Sequence, residues 1–284
     1  MMESYLKKWS ALASHYIGDQ FDYCKPFLSL DYKGMEPLVR FVSSQLYLSC
    51  HFSSQSSLIL LREGLEWDAE IILRSISEGV IKYVYMLQGS DDEILEKAKE
   101  YWFVLPEYAS IKRSDKASSF LTAANGYCVP KWKAMEDLIL DQQDIENIRH
   151  GSNKKSRSLL EQKWSFSEIL NCFSKSEDKV LSDLVHLSYN FGMSSHLIHK
   201  DADGVGMIWE RDTREPDRRK VVKLAHIARA ISDICVLSDI RTIFLMKHCG
   251  GDMAFINDMK SSYHELFEEI ELAGNDFYEV EYGE

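Results

Sequence analysis

Residue types that can transfer protons or bind metal ions crowd into the segment 189–204. His196 and His199 are three residues apart, so on a helix their rings lie on one side. An acid–base site would use such a histidine near neutral pH, oriented by a carboxylate. A metal site would need further ligands from another helix. The third alternative is that these residues have no catalytic role, because histidine is favoured at the C-terminal end of a helix and a polar loop follows. The versatile side chains are Ser194, Ser195, His196, His199, Asp201 and Asp203.

A second polar pattern runs through the otherwise apolar stretch 57–88. Glu66, Glu70, Arg74 and Glu78 recur every four residues, so they form one stripe on a helix. The stripe is either a solvated face with weak salt bridges or an interior ion-pair network that holds a polar site.

Two basic clusters, at residues 149–163 and 211–223, could contact phosphate groups, with solvated surface as the alternative. Trp164 and Trp209 lie beside them in the sequence and could stack on a base. The net charge of −12 disfavours uniform coating of a nucleic acid and leaves room for a local basic groove. The candidate nucleic-acid-binding residues are Arg149, Lys154, Lys155, Arg157, Arg218 and Arg219.

Helical periodicity covers nearly every long segment, and only 5 prolines and 14 glycines occur among the 284 residues. We therefore predict an all-α protein, a helical bundle in one domain over residues 1–284. Within it we expect an N-terminal elaboration at 1–36, a core at 37–250, and a C-terminal helix with an acidic tail at 251–284.

Local signals divide this pattern into elements. Ser53–Ser57 predicts a weak point or break in a long helix, and Pro106 is expected to divide two others. Residues 200–217 carry glycines, a proline and many charges, which predicts an exposed loop with a short hairpin near Trp209. The predicted long helices cover 3–22, 37–62, 57–88, 217–248 and 252–272.

The sequence shows no pattern typical of secretion, membrane insertion or cofactor binding. The N-terminus lacks the apolar stretch of a signal peptide, and no apolar run is long enough to cross a bilayer. Six scattered cysteines without C-x-x-C spacing are typical of reduced thiols. No phosphate loop or dinucleotide fingerprint occurs. We expect a cytoplasmic protein with no cofactor, no metal and no membrane association.

Two of these segments carry a resemblance to a known family. The run from Leu58 to Glu78, with its Arg74-Ser-x-x-Glu78 step, resembles the first core helix of the bacterial family of unknown function 5677. The later pattern Tyr189-x-x-x-x-Ser194-Ser195-x-x-x-His199 resembles that family's second signature. The family is in turn similar to the all-helical HEPN superfamily, which includes many ribonucleases of toxin–antitoxin and antiviral defence systems.

The resemblance implies a core of four to five helices, usually dimeric, with additional N-terminal and middle helices here. It implies metal-independent RNA cleavage or RNA binding, with a possible protein partner from a defence or toxin–antitoxin system. His199 would be the acid or base, Arg74 the phosphate contact oriented by Glu78, and Ser195 and His196 neighbouring aids. No arginine precedes His199 at the family's spacing. Arg219 and His226 have that spacing, but the apolar neighbours of His226 indicate a core helix. The alternative is a non-catalytic module that binds a protein partner or a nucleotide.

Overall fold

The computed structural model describes residues 2–150 and 152–283, and within them every regular element is a helix. The predicted all-α fold is confirmed. Short 3₁₀ turns cover Pro130–Trp132 and Leu184–His186, and a π-helical turn covers Glu100–Val104. The α-helices are α1 (Met2–Leu28), α2 (Pro37–Arg62), α3 (Glu66–Met86), α4 (Asp91–Lys99), α5 (Leu105–Ala123), α6 (Lys133–Glu136), α7 (Gln142–Arg149), α8 (Lys154–Lys163), α9 (Phe166–Phe173), α10 (Lys179–Asp183), α11 (Leu187–His199), α12 (Ala202–Asp212), α13 (Pro216–Cys249), α14 (Ala254–Ser262) and α15 (His264–Tyr282).

The chain falls into two compact units, one formed by Met1–Gln88 with Leu170–Glu284 and the other by Gly89–Ile169. In the first unit, α1, α2, α3 and α13 pack together as a helical bundle, with α11 against α3 and α15 against α13. In the second, α5 packs against the short helices α6, α7 and α8. A single domain over residues 1–284 stays a prediction.

The N-terminal helix is an integral part of the bundle in the first unit. Trp9, Ala13, Tyr16 and Ile17 recur at helical spacing and are all buried at 1% exposure or less. They face α2 and α13, so α1 contributes a full apolar stripe to the core of the first unit.

The predicted break at Ser53–Ser57 is wrong, because α2 runs unbroken to Arg62. Two of the serine hydroxyls bond within the helix: Ser54 Oγ donates to the Cys50 carbonyl at 2.8 Å and Ser56 Oγ to the Phe52 carbonyl at 3.0 Å. Ser57 donates instead to the Ala69 carbonyl of α3 at 3.3 Å. The chain turns instead at Gly64, whose φ of +72° lies in the left-handed region that glycine tolerates.

The predicted loop and hairpin at 200–217 are also wrong, because this region contains α12. Lys200, with φ of +52°, ends α11, and Asp201 caps α12 by accepting a hydrogen bond from Gly204 N–H at 3.0 Å. A Cβ at Gly204 would collide with the His196 carbonyl. Gly204 is therefore a close-packing residue between α11 and α12 rather than a loop signal.

Two further expectations differ from the structure. Pro106 does not divide two helices: the π-helical turn continues directly into α5, and Pro106 lies in the first turn of α5, where its missing N–H is tolerated. The acidic C-terminal segment is helical to Tyr282 in α15 rather than a loose tail. Glu269 of α15 accepts a hydrogen bond from the Trp9 indole at 2.6 Å, which ties α15 to α1.

No helix among residues 2–150 and 152–283 combines the length and apolar character needed to cross a bilayer.

A buried carboxylate, Asp239 of α13, links three helices of the first unit. It is 4% exposed and accepts hydrogen bonds from Tyr16 at 2.7 Å and from Gln20 at 2.5 Å, both on α1. Lys260 of α14 lies 3.1 Å from its second oxygen. Because two hydrogen bonds and one ammonium group compensate its charge, this acid can remain in the core.

We expect Asp239→Ala to lower the free energy of unfolding by about 3 kcal/mol, because it leaves the buried Tyr16 hydroxyl and Gln20 amide unpaired. Urea denaturation followed by circular dichroism measures the change. Asp217→Ala is the matched control on α13, since the ion pair of Asp217 with Lys220 lies at the surface. Equal losses in the two variants would contradict a structural role for the buried acid.

Candidate acid–base site

The site is built around Glu70, a carboxylate on α3 whose side chain is 5% exposed. It accepts hydrogen bonds from Ser194 of α11 at 3.2 Å, from His226 Nε2 of α13 at 3.0 Å, and from Arg229 of α13. Burial opposes ionisation, but the hydrogen bond from His226 and the charge of Arg229 outweigh it and hold the pKa of Glu70 below its usual value. Glu70 is therefore an anion that joins three helices.

The tautomer of His226 follows from its two partners. Arg211 Nη1 lies 3.0 Å from His226 Nδ1, and because a guanidinium can only donate, Nδ1 must accept. Nε2 then carries the proton and donates it to Glu70. Burial lowers the pKa of His226, and the charges of Arg229 and Arg211 lower it further against the effect of Glu70. His226 is thus a neutral imidazole held between a carboxylate and a guanidinium.

A second carboxylate, Asp233, extends the network one turn along α13. Arg229 bridges Glu70 and Asp233, with Arg229 Nη1 2.5 Å from Asp233 Oδ2. Asn190 of α11 donates to the same oxygen at 3.4 Å. Burial raises the pKa of Asp233 to about 6, and the charge of Glu70 adds to this against the effect of Arg229. The network therefore contains two acids whose environments separate their pKa values, a pattern that enzymes use for proton transfer.

Arg211 of α12 forms the edge of the network. Its guanidinium lies over the Trp67 ring at 5.0 Å from the centroid, and Trp67 meets the His226 ring edge-on at 4.9 Å. Burial lowers the pKa of Arg211, as do the charges of Arg214 and Arg229. Among the described residues no carboxylate forms an ion pair with Arg211, so its charge is available to an anion.

Beside Arg211 opens a groove of about 880 Å³, here called the basic groove. Its acids are largely engaged: Glu66 pairs with Lys223 at 3.0 Å, and Asp212 with Arg219 at 3.4 Å. Trp209 lines it and is 68% exposed, so a large aromatic face is open to a ligand. The other residues that line the basic groove include Gly64, Trp67, Asp68, Val205, Ile208, Arg211, Lys220, Val222 and His226.

Two smaller cavities also reach the network. One, of about 190 Å³, is lined by Glu70, Ser194, Tyr189 and Asn190, and the other, of about 350 Å³, lies between α13 and α15. Arg211 and His226 line both of these cavities as well as the basic groove. Although the His226 side chain is only 7% exposed, a ligand in the basic groove would lie next to it.

The residues predicted from sequence lie around this network rather than within it. Arg74 stacks over the Phe191 ring at 4.0 Å and lies 4.0 Å from Glu78, which itself pairs with Lys82 at 2.6 Å. Within the described residues no hydrogen bond or ion pair joins Arg74 to His196 or His199. The two segments do meet, through the hydrogen bond from Ser194 to Glu70 and through the stacking of Arg74 on Phe191.

The two predicted histidines lie at the C-terminal end of α11. His199 is exposed, and His196 Nδ1 is 2.8 Å from Asp201 and 3.9 Å from Asp203. These three side chains could bring ligand atoms within 4.8 Å of one another. Asp201 already caps α12, and all three groups are partly or fully exposed, so the cluster is accounted for by the junction of α11 and α12.

The predicted nucleic-acid-binding residues belong to different units. In the second unit Arg149, Lys154 and Lys155 are exposed, and Arg157 donates to the Ser152 carbonyl at 3.0 Å. In the first unit Arg218 and Arg219 are ion-paired. Arg218 holds Glu281 with two hydrogen bonds of 2.6 and 2.9 Å, and Arg219 pairs with Asp212 in the basic groove.

Sequence reasoning missed His226, Arg229, Asp233 and Arg211 as members of one site. The signal was present in α13, where polar residues recur every three or four positions along an otherwise apolar helix: Arg219, Lys223, His226, Arg229 and Asp233. Such a polar stripe on a helix that is apolar on its other sides indicates a polar partner, here Glu70 of the stripe on α3.

We expect Glu70→Gln to lower the free energy of unfolding by about 3 kcal/mol, because the change removes the charge that compensates buried His226 and Arg229. Urea denaturation of the purified variant gives the value. Glu78→Gln is the matched control. Glu78 lies about two turns further along α3, and its side chain is one-third exposed. A loss no larger than the control's would show that Glu70 does not organise the network.

We expect Asp201→Asn to lower the pKa of His196, because the hydrogen bond to Asp201 is the main cause that raises it. Asparagine retains the cap on α12. Since the folded pKa lies above the unfolded one, the interaction stabilises the fold at low pH and is lost as pH rises through the folded value. A nuclear magnetic resonance titration of the His196 ring measures the pKa. Asp203→Asn should change it less, and the reverse order would contradict the assignment.

No curated protein and no solved structure matched the sequence. A family model described as a family of unknown function, DUF5677, matches residues 40–216, a span that includes Glu70, Ser194 and Arg211 and ends before His226. Because the match covers more than half of the 284 residues, the chain belongs to the DUF5677 family.

Proposed function

We propose that this protein binds RNA in the basic groove and cleaves it without a metal ion, with His226 as the residue that transfers the proton. The observation that carries the proposal is the row Glu70–His226–Arg211, which ends at the wall of the groove. A carboxylate, an imidazole and a guanidinium in a row provide an orienting group, a proton carrier and a phosphate contact.

The groove suits a phosphodiester with an attached base. Arg211 has no carboxylate ion pair among the described residues and can donate two parallel hydrogen bonds to a phosphate group. Trp209, with 68% of its surface exposed, offers a face on which a base can stack. Single-stranded RNA fits these features better than a duplex, because only an unpaired base exposes its ring for stacking.

The proton transfer follows from the tautomer of His226. A phosphate in the groove competes for Arg211, which then turns from His226 Nδ1 towards the phosphate oxygens. The freed Nδ1 accepts the proton of the ribose 2′-hydroxyl while the 2′-oxygen forms a bond to phosphorus. The bond from phosphorus to the 5′-oxygen breaks, and the imidazolium returns its proton to that oxygen. Glu70 stabilises the imidazolium through Nε2, as a carboxylate does in acyl-transfer triads.

The resemblance to the HEPN superfamily, which favoured His199 as the acid or base, supports RNA cleavage as the reaction and adds two expectations. Arg219 and His226 stand at the arginine–histidine spacing of its ribonucleases, and both line the basic groove. A homodimer and a role in a bacterial defence or toxin-like system, with a protein partner, rest on that resemblance alone. Sedimentation velocity of the purified chain measures directly whether it is a dimer.

A second candidate function is a non-catalytic module that binds a nucleotide or a protein partner. The specific observation in its favour is that both ring nitrogens of His226 already have hydrogen-bond partners, as in a purely structural network. In that case a bound phosphate would contact Arg211 without freeing His226 Nδ1 to accept a proton.

We expect wild-type protein to cleave total RNA in EDTA, and His226→Gln to reduce the rate by roughly 10²–10⁴-fold, the usual contribution of a general acid or base. Gel electrophoresis of the RNA, with detection of cyclic phosphate ends, measures the reaction. His199→Gln is the matched control, because His199 is exposed at the end of α11 and is also the residue that sequence reasoning favoured.

The pair of variants separates the alternatives. Loss of RNA cleavage in His199→Gln, with cleavage retained in His226→Gln, would place the site at the residues predicted from sequence. Binding of RNA by wild type without cleavage, weakened by Arg211→Gln, would favour the binding module. Circular dichroism of His226→Gln shows whether the variant is folded.

A further inference from the structure

The centre of the bundle in the first unit contains an arginine. Arg241 of α13 is 0% exposed, and its guanidinium lies 5.1 Å from the centre of the Tyr47 ring on α2. Its charge also acts on His51 of α2, Tyr83 of α3 and Cys24 of α1, so all four helices surround it. An arginine in this position is unusual, because arginine is almost never fully buried unless it is paired.

No charged or oxygen acceptor among the described residues satisfies this guanidinium, whose Nε and both Nη atoms are buried. The Cys50 thiol lies beside it as a weak, neutral acceptor. Asp239, the nearest acid along α13, is engaged by Tyr16, Gln20 and Lys260. Arginine cannot lose its proton in a protein, so the charge persists and costs several kcal/mol when it is buried alone.

The side chains packed around the guanidinium supply donors, and Asp22 of α1, the acid whose charge acts on His51, is exposed. Burial raises the pKa of the Cys24 and Cys50 thiols and of the Tyr83 phenol, so all three stay neutral. Burial and the charge of Arg241 lower the pKa of His51 to about 4, so this ring is neutral as well. The Tyr83 hydroxyl and His51 Nδ1 are buried without partners, and each can donate.

The stacking of Arg241 on Tyr47 relieves only part of the cost. A cation–π contact attracts the charge, but it leaves the in-plane N–H groups unsatisfied. These N–H groups require an acceptor that carries one negative charge. The acceptor must also be small, because it lies in an interior where Tyr47, Tyr83 and Arg241 are fully buried.

We infer that Arg241 binds a small monovalent inorganic anion, of the chloride or nitrate class, inside the bundle of α1, α2, α3 and α13. The Tyr83 hydroxyl and the His51 ring are the additional donors. The anion is a structural ligand: it neutralises the guanidinium and thereby stabilises the fold. This site lies on α2, α3 and α13 away from Glu70 and is independent of the proposed function.

The test is the thermal unfolding of the full chain in sodium chloride, nitrate or gluconate at constant ionic strength. An anion that binds only the folded state stabilises it by mass action, so the midpoint should rise by roughly 3–5 °C for each tenfold increase in chloride or nitrate above the dissociation constant. Gluconate, which is too large to enter, should give no rise. The response to chloride against nitrate identifies the preferred ion.

Arg241→Met should abolish the chloride response, because methionine fills the space without a charge. Arg62→Met is the matched control at the surface of α2, where Arg62 pairs with Glu63, and it should keep the response. Equal wild-type midpoints in chloride, nitrate and gluconate would overturn the inference, as would an Arg241→Met variant that still responds.

A second measurement serves if Arg241→Met does not fold. Wild-type crystals grown in bromide should show an anomalous peak within hydrogen-bond distance of the Arg241 guanidinium. A bromide map with no peak there would overturn the inference without any variant.

Discussion

The first unit depends on the ionisation of one buried carboxylate. Glu70 lies on α3 among apolar residues, and an uncompensated charge there would be strongly destabilising. Arg229 and His226 of α13 and Ser194 of α11 supply the compensation. The position of α11 and α13 along α3 is therefore fixed by polar partners as well as by apolar packing.

The same constraint shapes the chemistry of the site. Burial and the charges of Arg229 and Arg211 lower the pKa of His226 against the effect of Glu70, so the imidazole is neutral, with one nitrogen donating and the other accepting. A neutral imidazole whose accepting nitrogen faces a displaceable guanidinium is ready to take up a proton when an anion attracts that guanidinium. The basic groove, with Trp209 exposed on its wall, is the place from which such an anion would arrive.

Glu70 and Arg241 show two outcomes of burying a charge in one bundle. Glu70 is matched by groups of the chain itself, and its pKa is lowered in consequence. Arg241 has aromatic rings, neutral thiols and donors around it, and no charged or oxygen acceptor among the described residues satisfies its N–H groups. The first arrangement builds a site at the edge of a groove, whereas the second calls for a ligand in the interior.

The sequence by itself determined the helical class, the two ends of α2 and nearly all of α13. These features depend on periodicity and capping, which act over a few residues. It also identified two segments that lie within the family match and that meet where Ser194 donates to Glu70. It failed at α12, because glycines that usually mark loops serve there as close-packing residues against α11.

Only the tertiary structure decided which polar residues share a site. His226 and Glu70 are 156 positions apart, and their local neighbours are equally apolar, so nothing within a few residues of either reveals the other. Arg74, Glu78 and His199 were the more visible choices from spacing alone, yet it is the packing of α13 against α3 that brings a histidine to a carboxylate. Charge compensation across a bundle depends on distance in space, and spacing along one helix does not determine that distance.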